Sequence, residues 1–191
     1  SSGSSLRLRA LRALAGRDLA DAPIDRDALA AYLGLLYVPA PRTIFEGVKK
    51  LPEVLSREEV GRLLASTTTL RERALLRATY GGGLRVSEVV RLRVSDIAAQ
   101  RGMLRVEQGK GRKDRYTLLG VRLLAELRHY WQVYRPVQPW LFPQRRKAAP
   151  LDPTTAQKLY YAAKRRAGIT KAGGIHALRH AFATHLLEAG T

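Results

Sequence analysis

Gly174-Ile175-His176-Ala177-Leu178-Arg179-His180-Ala181-Phe182-Ala183-Thr184-His185-Leu186-Leu187 is the stretch on which the reading of this chain turns. Leu178, Phe182 and Leu186 recur every four residues, with Leu187 beside them, and so draw one apolar stripe along a helix. Gly173 and Gly174 precede it and Gly190 follows, the punctuation expected at helix ends. His176 and Arg179 lie three residues apart, so both side chains leave the first turn on one side. An imidazole and a guanidinium at a helix N-terminus, where backbone N–H groups and the dipole already favour negative charge, suit a phosphate. His176 and His180, at i and i+4, could in principle hold a metal. No Asp or Glu stands beside them as a third ligand, and Glu188 is far along the helix. His180 reads better as a structural histidine bonded to nearby backbone.

Two further stretches carry chemistry of the same sign. Arg85 follows Gly81-Gly82-Gly83-Leu84 at a helix start, with Glu88 one turn later. Glycines there let a backbone and a ligand approach closely, although an exposed capping pair would look the same. Lys110 stands between Gly109 and Gly111 at a hairpin tip, amid Arg112, Lys113 and Arg115. A solvated basic turn is the plain alternative. Another basic group, Lys164-Arg165-Arg166, closes a helix.

Composition bounds the function classes. The chain has 191 residues, 46% of them hydrophobic, enough for a real core, and a net charge of +18. Residues 1–50 hold eight basic and five acidic side chains, and residues 51–191 hold twenty-six and eleven. The excess of +15 thus travels with the His-Arg helix. A soluble basic surface is the bland explanation; an excess this large points instead to a polyanion, and usually to nucleic acid. With no cysteine there is no disulfide, Cys nucleophile or thiolate metal site. The sequence shows no run of 18 apolar residues and no signal peptide, so a soluble, cytoplasmic protein is expected.

Taken in order, residues 1–5 (Ser-Ser-Gly-Ser-Ser) look like an artificial linker. Residues 6–15 and 25–37 have helical periodicity, but so few helices hardly bury a core, which makes 6–46 the remnant of a larger helical domain. Residues 47–52 are a basic linker. Ser56 and Glu59 have capping-box spacing and open a helix. Further helices are expected over 70–80, 84–92, 121–134 and 153–167, and strands over 103–107 and 115–118 flanking the polar hairpin turn. Pro136, Pro139 and Pro143 impose a loop that holds Trp140, Leu141 and Phe142. The fold class is mainly α with a small antiparallel β-sheet.

Together these pieces resemble the tyrosine recombinases, or phage-integrase-type site-specific recombinases. The matching stretches are Tyr80-Gly81-Gly82-Gly83-Leu84-Arg85-Val86-Ser87-Glu88, Gly109-Lys110-Gly111-Arg112-Lys113-Asp114-Arg115 and the segment from His176 to His185. Lys50-Leu51-Pro52-Glu53-Val54-Leu55-Ser56 resembles the entry to that family's catalytic domain. The likeness is closest to bacterial chromosome-dimer recombinases and mobile-element integrases, and it runs from about Lys49 to Thr191.

The resemblance implies the family's catalytic-domain fold over 53–191, incomplete at its C-terminus, with 6–46 left from an N-terminal core-binding domain. It implies DNA strand cleavage and rejoining through a 3′-phosphotyrosyl intermediate, without metal or cofactor, in the cytoplasm and on the bacterial nucleoid. Double-stranded DNA is the implied partner, with further protomers assembled as a tetramer on it. Arg85 and Arg179 would clamp the non-bridging oxygens, Lys110 would be general acid, His176 would assist proton transfer or hydrogen-bond the phosphate, and Glu88 would orient Arg85 or the neighbouring histidine. Arg112, Lys113, Arg115, Lys164, Arg165 and Arg166 would contact DNA. The family's nucleophilic tyrosine follows the HxxR helix, whereas the last tyrosines here are Tyr160 and Tyr161. The expectation is therefore a chain that lacks its nucleophile and is inactive alone. Two other readings stay open: a DNA- or junction-binding module without chemistry, and a metal-dependent nuclease using His176, His180 and His185.

Overall fold

The structure, a computed structural model, describes residues 53–107, 114–145 and 147–189. The linker at 1–5, the helices expected within 6–46, the basic linker, Lys110, Arg112, Lys113 and Gly190 lie outside the described residues.

Helix α1 (Arg57–Ala65) starts where the sequence says it should. The Ser56 hydroxyl accepts from the Glu59 N–H at 3.2 Å, and the Glu59 carboxylate accepts from the Ser56 N–H at 2.7 Å. Both halves of the capping box are thus made. Helix α2 (Leu70–Gly81) is capped by Thr69 and sinks Ala74, Leu75, Leu76 and Ala78 into the core. The next helix, α3, is only Val86–Val90, shorter than the periodicity suggests. Its expected last turn tightens instead, with the Arg91 N–H donating to the Glu88 carbonyl and the Leu92 N–H to the Val89 carbonyl, while the Leu92 carbonyl accepts from the Leu141 N–H at 2.7 Å. A long-range backbone bond has overridden the local pattern.

Strands β1 (Ile97–Ala98), β2 (Met103–Val106) and β3 (Arg115–Leu118) form an antiparallel sheet in that order. Met103 pairs with Leu118, Leu104 with Thr117 and Val106 with Arg115. Helix α4 (Val121–Tyr134) packs on α2 and buries Leu123, Leu127 and Tyr130. The proline-rich stretch that follows is not wholly loop. It includes β4 (Pro143–Gln144), paired with β5 (Lys147–Pro150), and it buries Leu141 and Phe142 completely.

Helix α5 (Pro153–Arg166) begins at Asp152, whose carboxylate accepts the Thr154 N–H at 2.7 Å, with Pro153 at the position where a missing N–H costs nothing. Helix α6 (His176–Glu188) carries the stripe that opened the reading. Leu178 and Ala181 enter the main core, and Phe182 and Leu186 join Met103 and Leu118 in a second cluster under the sheet. That second cluster fixes α6 against the β2–β3 hairpin. Among the described residues, no helix is long and apolar enough to cross a membrane.

Candidate active site

The glycine turn decides where Arg85 stands. Gly83 has φ +56°, and a Cβ there would lie 2.6 Å from Cδ1 of Phe182, so the position is closed to other residues on two counts. The Thr117 hydroxyl donates to the Gly82 carbonyl at 2.8 Å, and the Arg179 guanidinium donates to the Gly83 carbonyl. Strand β3 and helix α6 therefore both grip the turn. Arg85 then occupies the cap position of α3, where it is 40% exposed.

Glu88, one turn on, is the hub. Its carboxylate accepts from the Arg85 N–H at 2.7 Å and from Arg85 Nη1 at 3.0 Å. Arg115 Nη2 donates to its Oε2 at 2.7 Å, and Arg179 Nη1 stands 3.8 Å from the same oxygen. Burial alone would push this carboxyl up, but Arg115, the Arg85 N–H and Arg179 outweigh it and hold Glu88 below the ordinary carboxylate range. Two cations expected at the site, Arg85 and Arg179, are thus brought to one carboxylate from distant parts of the chain.

His176 begins α6 and keeps an open edge to solvent. The surrounding protein still removes enough water to lower its imidazole below the ordinary value, assisted by the charges of His180, Arg179 and Arg85, against a smaller upward pull from Glu88. The ring therefore sits within the field of the arginine cluster, which disfavours its charged form. The helix N-terminus is less open than the sequence suggested. The Ile175 N–H donates to Gln157, and the Ala177 N–H donates to the Gly174 carbonyl at 2.9 Å. The side chains, more than the helix end, present positive charge here.

Several basic residues expected to face DNA do other things. Arg115 is 6% exposed and turned onto Glu88. Lys164 donates to the carbonyls of Lys171 and Gly173, which ties α5 to the segment entering α6. Arg166 donates to the Ser66 carbonyl at 2.7 Å and to Glu72, a carboxylate 3% exposed. Arg165 remains exposed. A solvated surface and an inward tie look alike in sequence, because Lys and Arg bury their stems readily. For Arg115 a signal existed: strand alternation puts it on the face of Thr117, opposite buried Leu104 and Val106.

The histidines also exchange roles. His180 is exposed, whereas His185 is 6% exposed and shares a hydrogen bond of 2.9 Å with the Tyr80 hydroxyl through Nδ1. Among the described residues, no three His, Asp or Glu side chains cluster in a way that could hold a metal ion. The described tyrosines include Tyr130 and Tyr160, both buried, with hydroxyls pushed up to about 12 by burial. A phenol so buried and so weakly acidic is core, not nucleophile.

The model of the phage integrase family matches residues 53–191, all of the described part of the chain. An integrase/recombinase homologue of Sinorhizobium fredii, y4qK, is 45% identical over 142 residues, 74% of this chain and 46% of its own. The tyrosine recombinase XerA of Pyrococcus horikoshii is 35% identical over 144 residues, 74% of this chain and 50% of its own. The chain thus spans about half the length of the curated relatives it matches. Among solved structures, a XerA recombinase superposes with TM-score 0.69 at 28% identity, over 86% of this chain and 61% of the other. A lambda integrase fragment bound to DNA shares the fold at TM-score 0.58 and 18% identity, over 72% of this chain and 52% of that one. By its sequence over 53–191 and by its mainly helical fold with a small antiparallel sheet, the chain belongs to the phage integrase family, whose members include the tyrosine recombinases.

Proposed function

We propose that residues 53–191 are the catalytic domain of a site-specific DNA recombinase that cuts and rejoins strands through a phosphotyrosyl intermediate. The observation that carries this is the meeting of Arg85 and Arg179 on Glu88, with His176 in the field of both arginines. In the reaction a tyrosine oxygen attacks phosphorus and the bond to the 5′-oxygen breaks. Arg85 and Arg179 bind the non-bridging oxygens, whose negative charge grows in the transition state; a guanidinium fork suits two oxygens at once. Glu88 holds Arg85 in place. His176 takes the phenol proton, and the Lys110 ammonium gives one to the leaving oxygen.

In this reading none of the eight tyrosines in these 191 residues is the nucleophile, so the 191 residues alone do not cleave. Duplex DNA is the substrate, and Arg112, Lys113 and the exposed Arg165 are basic contacts to it in this reading. A tetramer of protomers on DNA in the bacterial cytoplasm is the assembly this chemistry calls for, since strand exchange joins two duplexes.

The test is a suicide substrate, nicked duplex of a cognate site, run on denaturing gels with and without the relatives' C-terminal segment supplied in fusion. The segment should produce a covalent band that Arg179→Ala removes while leaving most DNA affinity. A band from the 191 residues alone, lost on mutating Tyr161, would place the nucleophile within them. No band in either case would favour a DNA- or junction-binding module without chemistry.

A further inference from the structure

Three guanidinium groups converge on the Glu88 carboxylate, and they are not equivalent. Arg85 is 40% exposed and belongs to the same short helix. Arg179 stands 3.8 Å off and gives a hydrogen bond to the Gly83 carbonyl. Arg115 is 6% exposed, arrives from β3, and makes the 2.7 Å contact to Oε2. A guanidinium so buried offers no surface to a DNA duplex. It also occupies the end pair of the β2–β3 ladder, opposite Val106.

We propose that Arg115 is a positioning residue, the fixed counterion of Glu88, which leaves the charge of Arg85 and Arg179 available to a phosphate. The proposal rests on the reading of the site given above. One carboxylate beside two cations that must bind an anion competes with that anion. With Arg115 in place, part of the Glu88 charge is met from the buried side, so the carboxylate competes less with a phosphate for Arg85 and Arg179. Without it, Glu88 would draw on Arg85 and Arg179 alone. The same strand grips the other end of the arrangement, because Thr117, two residues along and on the same face, bonds the Gly82 carbonyl in the turn before Arg85. Strand β3 therefore sets both the height of the turn and the charge beneath it.

The experiment uses the whole 191-residue chain and inorganic phosphate as the probe. Phosphate affinity is read by NMR at the His176 ring, which lies within the field of Arg85 and Arg179, and the Glu88 carboxyl is titrated by carbon NMR. In Arg115→Gln, phosphate binding should weaken about tenfold and the Glu88 carboxyl should titrate at higher pH. Arg115→Lys should recover part of both. The double variant Arg115→Gln/Glu88→Gln should recover phosphate binding, because the competing carboxylate is gone. A folded Arg115→Gln that binds phosphate like the parent overturns the proposal. So does a double variant that binds no better than the single one. Should Arg115→Gln fail to fold, the double variant decides: folded with restored binding supports the proposal, and unfolded or non-binding overturns it. If Arg85→Ala leaves phosphate binding unchanged in the parent, the site reading falls and the phosphate role with it. A Glu88 titration that still moves in Arg115→Gln separates that result from a failure of the ion pair.

Discussion

Gly83 and Phe182 touch so closely that a single carbon added to the glycine would lie 2.6 Å from the phenylalanine ring. Phe182 belongs to α6 and Gly83 to the turn before Arg85, so this contact sets the spacing between the two halves of the site. Gly83→Ala should cost about 2–4 kcal/mol, the sum of a left-handed backbone and an overpacked ring. Urea unfolding at neutral pH measures it. A loss below about 0.5 kcal/mol would show that the turn tolerates a side chain and that the spacing is soft.

Acid should weaken the domain through Glu88. Its folded carboxyl lies below the ordinary value of 4.5, so its contribution to stability is complete above that pH and is lost as pH falls through the folded value. Glu88→Gln should be less stable than the parent at pH 7 by about 3 kcal/mol, since buried Arg115 is left without its anion. The gap should close as the pH falls through that lowered folded value, where the parent also becomes neutral at this position. Urea denaturation of both proteins between pH 3 and pH 7 gives the answer, and parallel pH profiles would contradict it.

His176 should titrate below its ordinary value of 6.5 in the free protein, because it is partly desolvated and sits among cations. The sign follows directly. A histidine with a depressed folded value contributes full stability above 6.5, and some of that is lost as pH falls. Proton NMR of the imidazole follows the titration. Adding phosphate should move it upward, since an anion beside the ring favours the charged form. A His176 that titrates at or above 6.5 without ligand would remove the case for it as a proton acceptor.

Neighbouring arginines at the end of α5 should separate cleanly. Arg166→Gln breaks a bond to nearly buried Glu72 and should cost about 1–3 kcal/mol, whereas exposed Arg165→Gln should leave stability unchanged. Thermal unfolding ranks the two variants. DNA binding should behave in the opposite way. If about five phosphates are contacted, log K should fall against log salt with a slope of roughly −4 to −5, and Arg165→Gln should reduce that slope by about 1. Equal stability losses in the two variants would mean that Arg165 is also a structural tie.

What the sequence determined by itself is what near neighbours encode. The Leu178, Phe182 and Leu186 stripe, the reciprocal cap of Ser56 and Glu59, and the alternation on either side of the hairpin each depend on residues a few positions apart. Local geometry repeats every 3.6 or every 2 residues, so such patterns can be read without knowing the fold. The family motifs were legible for the same reason, being short and contiguous.

Only the tertiary structure decided which charge meets which. Arg115 looks like its basic neighbours in the hairpin, yet it is drawn inward because Glu88, on helix α3, lies beneath it. Lys164 and Arg166 turn to carbonyls and a carboxylate on other segments while Arg165 between them stays in water. His185 takes the structural role expected of His180, and does so because Tyr80 of α2 is there to bond it. A cation in the sequence carries no mark of its partner. Its role is set by whether folding brings an acceptor within about 3 Å, because the cost of burying an unmatched charge allows no other arrangement.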